Sequence, residues 1–469
     1  MGYLLALQKT TLIILKVYNE SLDDTINTSF KDATSWFVDI IFAEIPITDT
    51  VGIPWVLIVL ILGASYFTLY FKGINIRGLR TSISVIRGKY DNLERNIETV
   101  SDRPKSIKED GEVSHFQALT AALSATVGLG NIGGVAIALS IGGPGATLWM
   151  VLVGFLGMAS KFVECTLGVL YREIDSLGEK GYSKLGKLLA VLFAVMCIGG
   201  SFGGGNMFQV NQAFQLFEYV TGGEASFIHG KGWLFGLLMA ILVGIVIIGG
   251  IKQIARVTDK IVPAMVFIYV TAVIIVLSIH HEAIPDAFKA IFSGAFTPEG
   301  VTGGTIGVLI QGFKRAAFSN EAGIGSASIA HSAVKTRFAA SEGLVALLEP
   351  LIDTIVVCTM TALVLIVTGQ IEVGAQISDA QGVVLTSNAL KSGIFWFPYL
   401  LSFAAVLFAF SSMISWSYYG YQAWSFLFGR GKRTAYVYKT IFCLFVIIGA
   451  AASLGAVTNF SDAMIFAML

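Results

Sequence analysis

The sequence predicts an all-α polytopic membrane protein: two five-helix sets of inverted topology, preceded by one extra N-terminal span. Three observations predict it. Of 469 residues, 55% are apolar and only 13% charged, with a mean hydropathy of +0.75. Apolar runs of roughly 18 to 30 residues recur between short charged stretches, each long enough to cross a hydrocarbon core of ~30 Å. Two of these runs are interrupted by near-copies, Gly128-Leu129-Gly130-Asn131-Ile132-Gly133-Gly134 and Asn320-Glu321-Ala322-Gly323-Ile324-Gly325-Ser326. Aligning Gly128 with Gly323 sets them 195 residues apart.

Residues 1–52 read as an N-terminal extracellular or interfacial segment. Its start has the hydropathy of a signal peptide, but it lacks a basic n-region, contains Gln8 and Lys9, and offers no small-residue cleavage site. We read it as mature chain. Residues 31–45 set Trp36, Phe37, Ile40, Ile41 and Phe42 against Asp32, Asp39 and Glu44, the pattern of a helix lying in the membrane interface. Residues 53–115 hold the first span, 53–71, and a basic loop. Within 116–280 the spans are 116–141, 145–170, 187–218, 232–250 and 258–279. Within 303–469 they are 303–330, 341–368, 395–427 and 437–456, with an eleventh starting near Asn459. That last helix is expected to be incomplete, because too few residues follow Asn459 to cross.

Lys and Arg set the orientation. The loop 72–115 holds nine: Lys72, Arg77, Arg80, Arg87, Lys89, Arg95, Arg103, Lys105 and Lys108. Loops on the same side bring the count to twenty-two, whereas Lys9, Lys16, Lys31, Lys231, Lys289 and Lys391 make six opposite. The richer side is expected to be cytoplasmic and the N-terminus outside. With this alternation the second span starts inside and the seventh outside, so the two sets run in opposite senses.

The interruptions carry the chemistry. Each freed N–H or C=O in hydrocarbon costs several kcal/mol unless protein or water meets it, so paired breaks point to a substrate and ion site at the midplane of a secondary transporter. Gly128-Leu-Gly130-Asn-Ile-Gly133 matches a dinucleotide fingerprint literally, but no short strand precedes it and no acid follows before Lys161. Unwinding over Thr126–Gly130 would expose N–H groups to a carboxylate, while carbonyls and Asn131 would suit Na⁺ or an ammonium group. Gly133 and Gly134 read as helix-packing positions. Glu321, beside Gly323 and Gly325, is expected to be structural and coupling, neutralising Lys314 and Arg315 or tying down the broken helix. The same choice between structural pairing and ion handling applies to Glu349 and Asp353 and to Lys161 with Glu164, which reads as an i,i+3 pair. Asn206 and Gln209, three apart, are expected to share a face toward a cavity. Ser411, Ser412, Ser415 and Trp416 form a hydroxyl-rich stretch with a bulky wall. Cys165, Cys197, Cys358 and Cys443 lack metal-ligand spacing and read as small apolar residues.

At these residues the chain resembles the alanine or glycine:cation symporter family. The matching stretches are Phe116–Thr120 through Gly128–Ile132, Gly142–Ala146, Phe318–Gly323, Glu349–Thr354 and Ser415–Gly420. The resemblance runs from about residue 53 to the end. It implies the amino acid-polyamine-cation transporter architecture with one extra N-terminal span. It also implies Thr126, Gly128, Gly130, Asn206, Gln209, Ser412 and Trp416 as substrate-binding residues.

The expected function is Na⁺-coupled symport of a small neutral amino acid, alanine or glycine, across the cytoplasmic (inner) membrane. Asn131, Ser411 and Ser412 are the expected Na⁺ ligands; no cofactor, catalytic residue or nucleic-acid partner is expected. Proton coupling through Glu321 or Asp353 is the alternative, ahead of a ligand-gated channel or a membrane enzyme. His280 and His281 are adjacent, but no nucleophile motif joins them.

Overall fold

The structure, a computed structural model, describes residues 22–47, 52–90, 113–172, 183–296, 304–371, 373 and 382–469. The readings of residues 1–16 and of Arg95, Arg103, Lys105, Lys108 and Lys180 lie outside the described residues. Among those described, six helices are long and apolar enough to cross a membrane, and a bent pair makes a seventh candidate.

Helix α1 (Leu22–Ile41) starts nine residues earlier than the interfacial helix expected at 31–45. It ends before Glu44–Pro46, which pairs antiparallel with Gly52–Pro54. The reason is anchoring. Asp23 accepts from Gly232 N–H at 2.9 Å, Asn27 from Ser453 N–H at 3.0 Å, and Phe30 meets Phe460 edge-on. Trp36 and Ile40 stay on the exposed face. The first span is α2 (Trp55–Tyr70), and a short helix α3 (Leu79–Ile86) follows in the basic loop.

The broken span comes next, as α4 (His115–Thr126) and α5 (Gly130–Gly142), bent by 49°. Ser114 starts α4 with a capping box, accepting from Gln117 N–H while its own N–H donates to Gln117 Oε1. Helix α5 opens in a π-turn over Gly130–Gly134 and stops at Gly143, φ +67°. A Cβ on Gly145 would lie 2.2 Å from the Gly294 backbone, so the glycine-rich turn lets another chain segment pass over it.

Helix α6 (Ala146–Leu170) and the long α7 (Lys184–Val220) complete the first wall of the site. In α7 a π-turn spans Gly203–Met207. There a Cβ on Gly204 would meet Ile465 at 2.6 Å, and one on Gly205 would meet Trp416 at 2.1 Å. Helices α8 (Gly232–Ile247) and α9 (Gly250–Ile279) pack outside. They lead to α10 (Ile284–Phe296), unforeseen in the sequence, whose backbone at Gly294 crosses the Gly145 turn.

The second break joins α11 (Gly304–Asn320) to the five-residue α12 (Ala327–His331). Helix α13 (Ala339–Val367) contains Pro350, which has no N–H to donate, and relaxes into a π-turn over Leu351–Cys358. Helix α14 (Val383–Lys391) was expected as loop; its first N–H donates to Gln212 Oε1 at 2.9 Å. Then come α15 (Phe397–Phe428), α16 (Lys432–Ala451) and α17 (Leu454–Phe466). Helix α17 starts five residues before Asn459, because Ser453 caps it and ends the expected span early.

Candidate functional site

Val127 leaves helical geometry at ψ 90°, which frees the peptide groups that follow α4. Two of their N–H groups find side-chain partners. Gly128 N–H donates to Asn131 Oδ1 at 2.9 Å, and Leu129 N–H to Gln209 Oε1 at 3.0 Å. Gln209 is itself held by its Nε2–H, which donates to the Gly204 carbonyl at 3.0 Å. This corrects the expectation of exposed N–H groups: a buried amide without a partner costs a few kcal/mol, and two side-chain oxygens meet that cost. Thr126 turns its hydroxyl back to the Ala122 carbonyl at 3.2 Å, a common habit of Thr in apolar helices.

The glycines here are set by space. Neither Gly128 nor Gly130 has positive φ. A Cβ on Gly128 would stand 2.7 Å from Ser412 Oγ and 2.8 Å from Gln209 Oε1, whereas one on Gly130 would make an ordinary 3.5 Å contact with Phe318. A Cβ on Gly133 would press Gln212 Oε1 at 2.3 Å, while Gly134 faces open space. The packing role expected of both fits Gly133 alone.

At the second break Glu321 takes φ +55°, Gly323 +90° and Gly325 +83°. A left-handed conformation is uncommon for a non-glycine residue and persists where neighbours hold it. Glu321 is held at both oxygens: Oε1 accepts from Trp416 Nε1–H at 3.1 Å and Oε2 from the Ser326 hydroxyl at 2.5 Å. Its expected partners lie elsewhere. Lys314 (3.1 Å) and Arg315 both pair with Asp462, because they face α17 from within α11, while Glu321 lies past the helix end. Of the two structural roles expected for Glu321, the geometry matches the tie on the broken helix.

The two breaks meet through Asp353. Asn131 Nδ2–H donates to its Oδ1 at 2.5 Å and to its carbonyl at 3.2 Å. The Ser319 and Thr354 hydroxyls donate to Oδ2 at 2.8 and 2.7 Å, and Asn320 Nδ2–H donates to Thr354 Oγ1 at 3.0 Å. Asp353 is fully buried. Among the described residues no Lys, Arg or His makes an ion pair with Asp353 or Glu321; the cations nearby are spent on Glu164, Glu349 and Asp462. Sequence reasoning did not centre on Asp353. The signal was available, as an acid three residues after Pro350 inside an apolar run.

The remaining expected residues divide. Ser412 Oγ–H donates to the Ser124 carbonyl at 2.9 Å while Ser124 Oγ–H donates to the Ser411 carbonyl at 2.8 Å, a reciprocal clasp between α15 and α4. Ser411 Oγ–H turns back to Phe408 at 3.0 Å. Trp416, four residues beyond Ser412, is 1% exposed and lies against Gly205 and Glu321. Asn206 and Gln209 do not share a face. The π-turn of α7 shifts the register between them, so Asn206 Nδ2–H donates to the Phe442 carbonyl on α16 at 2.8 Å, while Gln209 reaches the first break. Lys161–Glu164 forms at 3.5 Å, and Glu349 also pairs with Lys161, at 3.0 Å.

Comparison with known proteins adds to this geometry. The model of the sodium:alanine symporter family matches residues 38–469. The sodium/alanine symporter AgcS of Methanococcus maripaludis is 40% identical, over 76% of this chain and 80% of AgcS. The probable sodium/glutamine symporter GlnT of Bacillus subtilis is 32% identical, over 87% of this chain and 81% of GlnT. Among solved structures, MhsT in complex with L-phenylalanine aligns with 76% of this chain and 87% of its own, at TM-score 0.54 and 18% identity, a likeness of fold.

Proposed function

This chain belongs to the sodium:alanine symporter family, as a multi-pass membrane transporter and not an enzyme, and from that premise we propose that it carries alanine or glycine inward with Na⁺. The architecture we infer is the five-plus-five inverted repeat, with α2 as the extra span, in the cytoplasmic membrane with the N-terminus outside. The basic loops support that orientation.

The observation that carries the reading is the meeting of two breaks at one buried acid. Asn131 links Gly128 N–H on one side to Asp353 on the other, and Ser319 and Thr354 come to the same carboxylate from the second break and α13. A buried carboxylate without a cationic partner is expensive, so binding a cation there is favourable. We assign Na⁺ to Asp353 and its oxygen neighbours Ser319 and Thr354, in place of Ser411 and Ser412, whose hydroxyls reach the Phe408 and Ser124 carbonyls and not the carboxylate. The same charge argument supports a second reading, in which a proton neutralises Asp353.

The substrate carboxylate belongs at the Leu129 N–H, where it would replace Gln209 Oε1. Gly128, Gln209 and Ser412 crowd that position, and Phe318 and Phe208 stack edge-on behind Gly130 at 5.0 Å. Such a site takes a short side chain, which favours alanine or glycine over glutamine. Counterflow of labelled alanine in liposomes tests the proposal. Exchange is expected in Na⁺ and lost when choline replaces it; equal exchange in choline would refute Na⁺ coupling.

A further inference from the structure

A row of ionisable side chains crosses the end of the molecule that carries the basic loops, outside both breaks. His115 Nδ1 on α4 meets Glu342 Oε2, Glu342 Oε1 meets His331 Nδ1 at 2.5 Å, and His331 Nε2 meets Glu349 Oε1. Glu349 Oε2 lies 3.0 Å from Lys161 Nζ, which lies 3.5 Å from Glu164 Oε1. Lys161, His331, Glu342 and Glu349 are all 0% exposed. Around them, Cys165 faces His331 and Glu349 from α6, Tyr419 faces the cluster from α15, and Glu321 faces Lys161 from the second break. Arg172 closes the outer side, donating to the Ser332 and Thr336 carbonyls at 3.1 and 2.9 Å.

Hydrogen counting identifies what the row holds. Each imidazole–carboxylate contact contains one hydrogen. A neutral His115 supplies its own. A neutral His331 has one hydrogen for two contacts, so the Glu342–His331–Glu349 bridge holds one proton beyond a neutral ring between two ionised carboxylates. Without it, Lys161 alone would face Glu164, Glu342 and Glu349; the proton halves the buried negative charge of the row, which is costly to leave unpaired. Both ring nitrogens then carry hydrogen, which leaves no lone pair for a metal at the neighbouring Cys165.

We propose that Glu342–His331–Glu349 is a proton-binding site that latches the basic-loop side shut. Its groups come from α12 and α13 and are joined to α4 through His115 and to α6 through Lys161, so that side opens only if the row separates. Once separated, each carboxylate meets water, and the extra proton leaves past His115, which is 9% exposed where Glu342, His331 and Glu349 are fully buried. The latch is tied to the second break, since Glu164 Oε2 accepts from Gly325 N–H at 2.9 Å. This inference rests on the proposed transport function for its consequence, not for the proton itself.

Two measurements on the purified full chain test it. The first needs no ligand: thermal unfolding against pH. A native state that holds the extra proton binds more protons than the unfolded chain above the ordinary histidine range, so Tm should fall between about pH 7 and pH 9. In Glu342→Gln the amide NH₂ donates to His331 Nδ1 and the amide oxygen accepts from His115, so a neutral ring satisfies the row and the slope should shrink at least about threefold. His331→Gln should flatten it likewise if that variant folds. An equal slope in Glu342→Gln would overturn the proton site. The second is alanine calorimetry at saturating Na⁺ in phosphate and in Tris. The wild type should show a buffer-dependent heat, and Glu342→Gln the same alanine affinity within about threefold without that dependence. A pH slope that vanishes in Glu342→Gln while the buffer dependence stays would keep the proton and overturn the latch. No alanine heat in wild type would refute alanine as the substrate and leave the unfolding result to decide the proton site.

Discussion

Residues fix the site mainly through the space they leave. Gly128 is the example at the first break, since its absent side chain lets Ser412 and Gln209 close on it. Gly128→Ala should therefore lower alanine affinity at least about tenfold, while Gly130→Ala, with only an ordinary contact to Phe318, should stay within about threefold by calorimetry. Loss of binding in Gly130→Ala alone would place the ligand on the Phe318 side of the break. Trp416 serves packing and hydrogen bonding together. Removing it leaves a cavity beside Gly205 and an unpaired oxygen on Glu321, and large-to-small changes of this kind cost about 3–5 kcal/mol. Trp416→Ala should lower Tm and let larger amino acids such as leucine compete better. Trp416→Phe should retain the ring and keep the competition profile; an unchanged profile in both would place the indole away from the substrate. Glu321→Gln keeps an oxygen for Trp416 and an NH₂ that can donate to the Ser326 oxygen. Uptake should persist with its pH dependence intact, and loss of that pH dependence alone would make Glu321 a proton carrier.

At the scale of elements, the two breaks and most spans are legible in the sequence, because a cluster of glycines inside an apolar run marks where a spanning helix gives way. What the sequence hides is where the freed polar groups go. Asn131 reads as an oxygen donor for Na⁺, yet its oxygen meets Gly128 and its amide meets Asp353, a residue 222 positions away. Asn206 and Gln209 read as one face because regular helical spacing says so, and a π-turn at Gly203–Met207 breaks that spacing. Pro350 would have warned of a similar irregularity in α13. Helix α14 is too short and too polar to stand out from its loop, but it sits on the first break, where Thr386 Oγ–H donates to the Ile132 carbonyl at 3.0 Å. Thr386→Val removes that donor and leaves a carbonyl of the π-turn without it. The expected result is a modest fall in Tm, equivalent to about 1–3 kcal/mol, together with weaker alanine binding. An unchanged Tm and affinity would show that α14 does not brace the break.

For the whole molecule, the proposed coupling turns on cation binding where the two breaks meet at Asp353. The family establishes a transporter; in the proposed reading the two breaks hold the amino acid, and Asp353 draws the cation to bind in the same event. Binding linkage makes this quantitative, since Na⁺ must raise alanine affinity by the same factor that alanine raises Na⁺ affinity. The direct test is alanine calorimetry at low and at high Na⁺, balanced with choline, on wild type and on Asp353→Asn. The account predicts that Na⁺ tightens alanine binding at least about tenfold in wild type and leaves Asp353→Asn unchanged, with the variant still monodisperse. Full Na⁺ dependence in Asp353→Asn would contradict it.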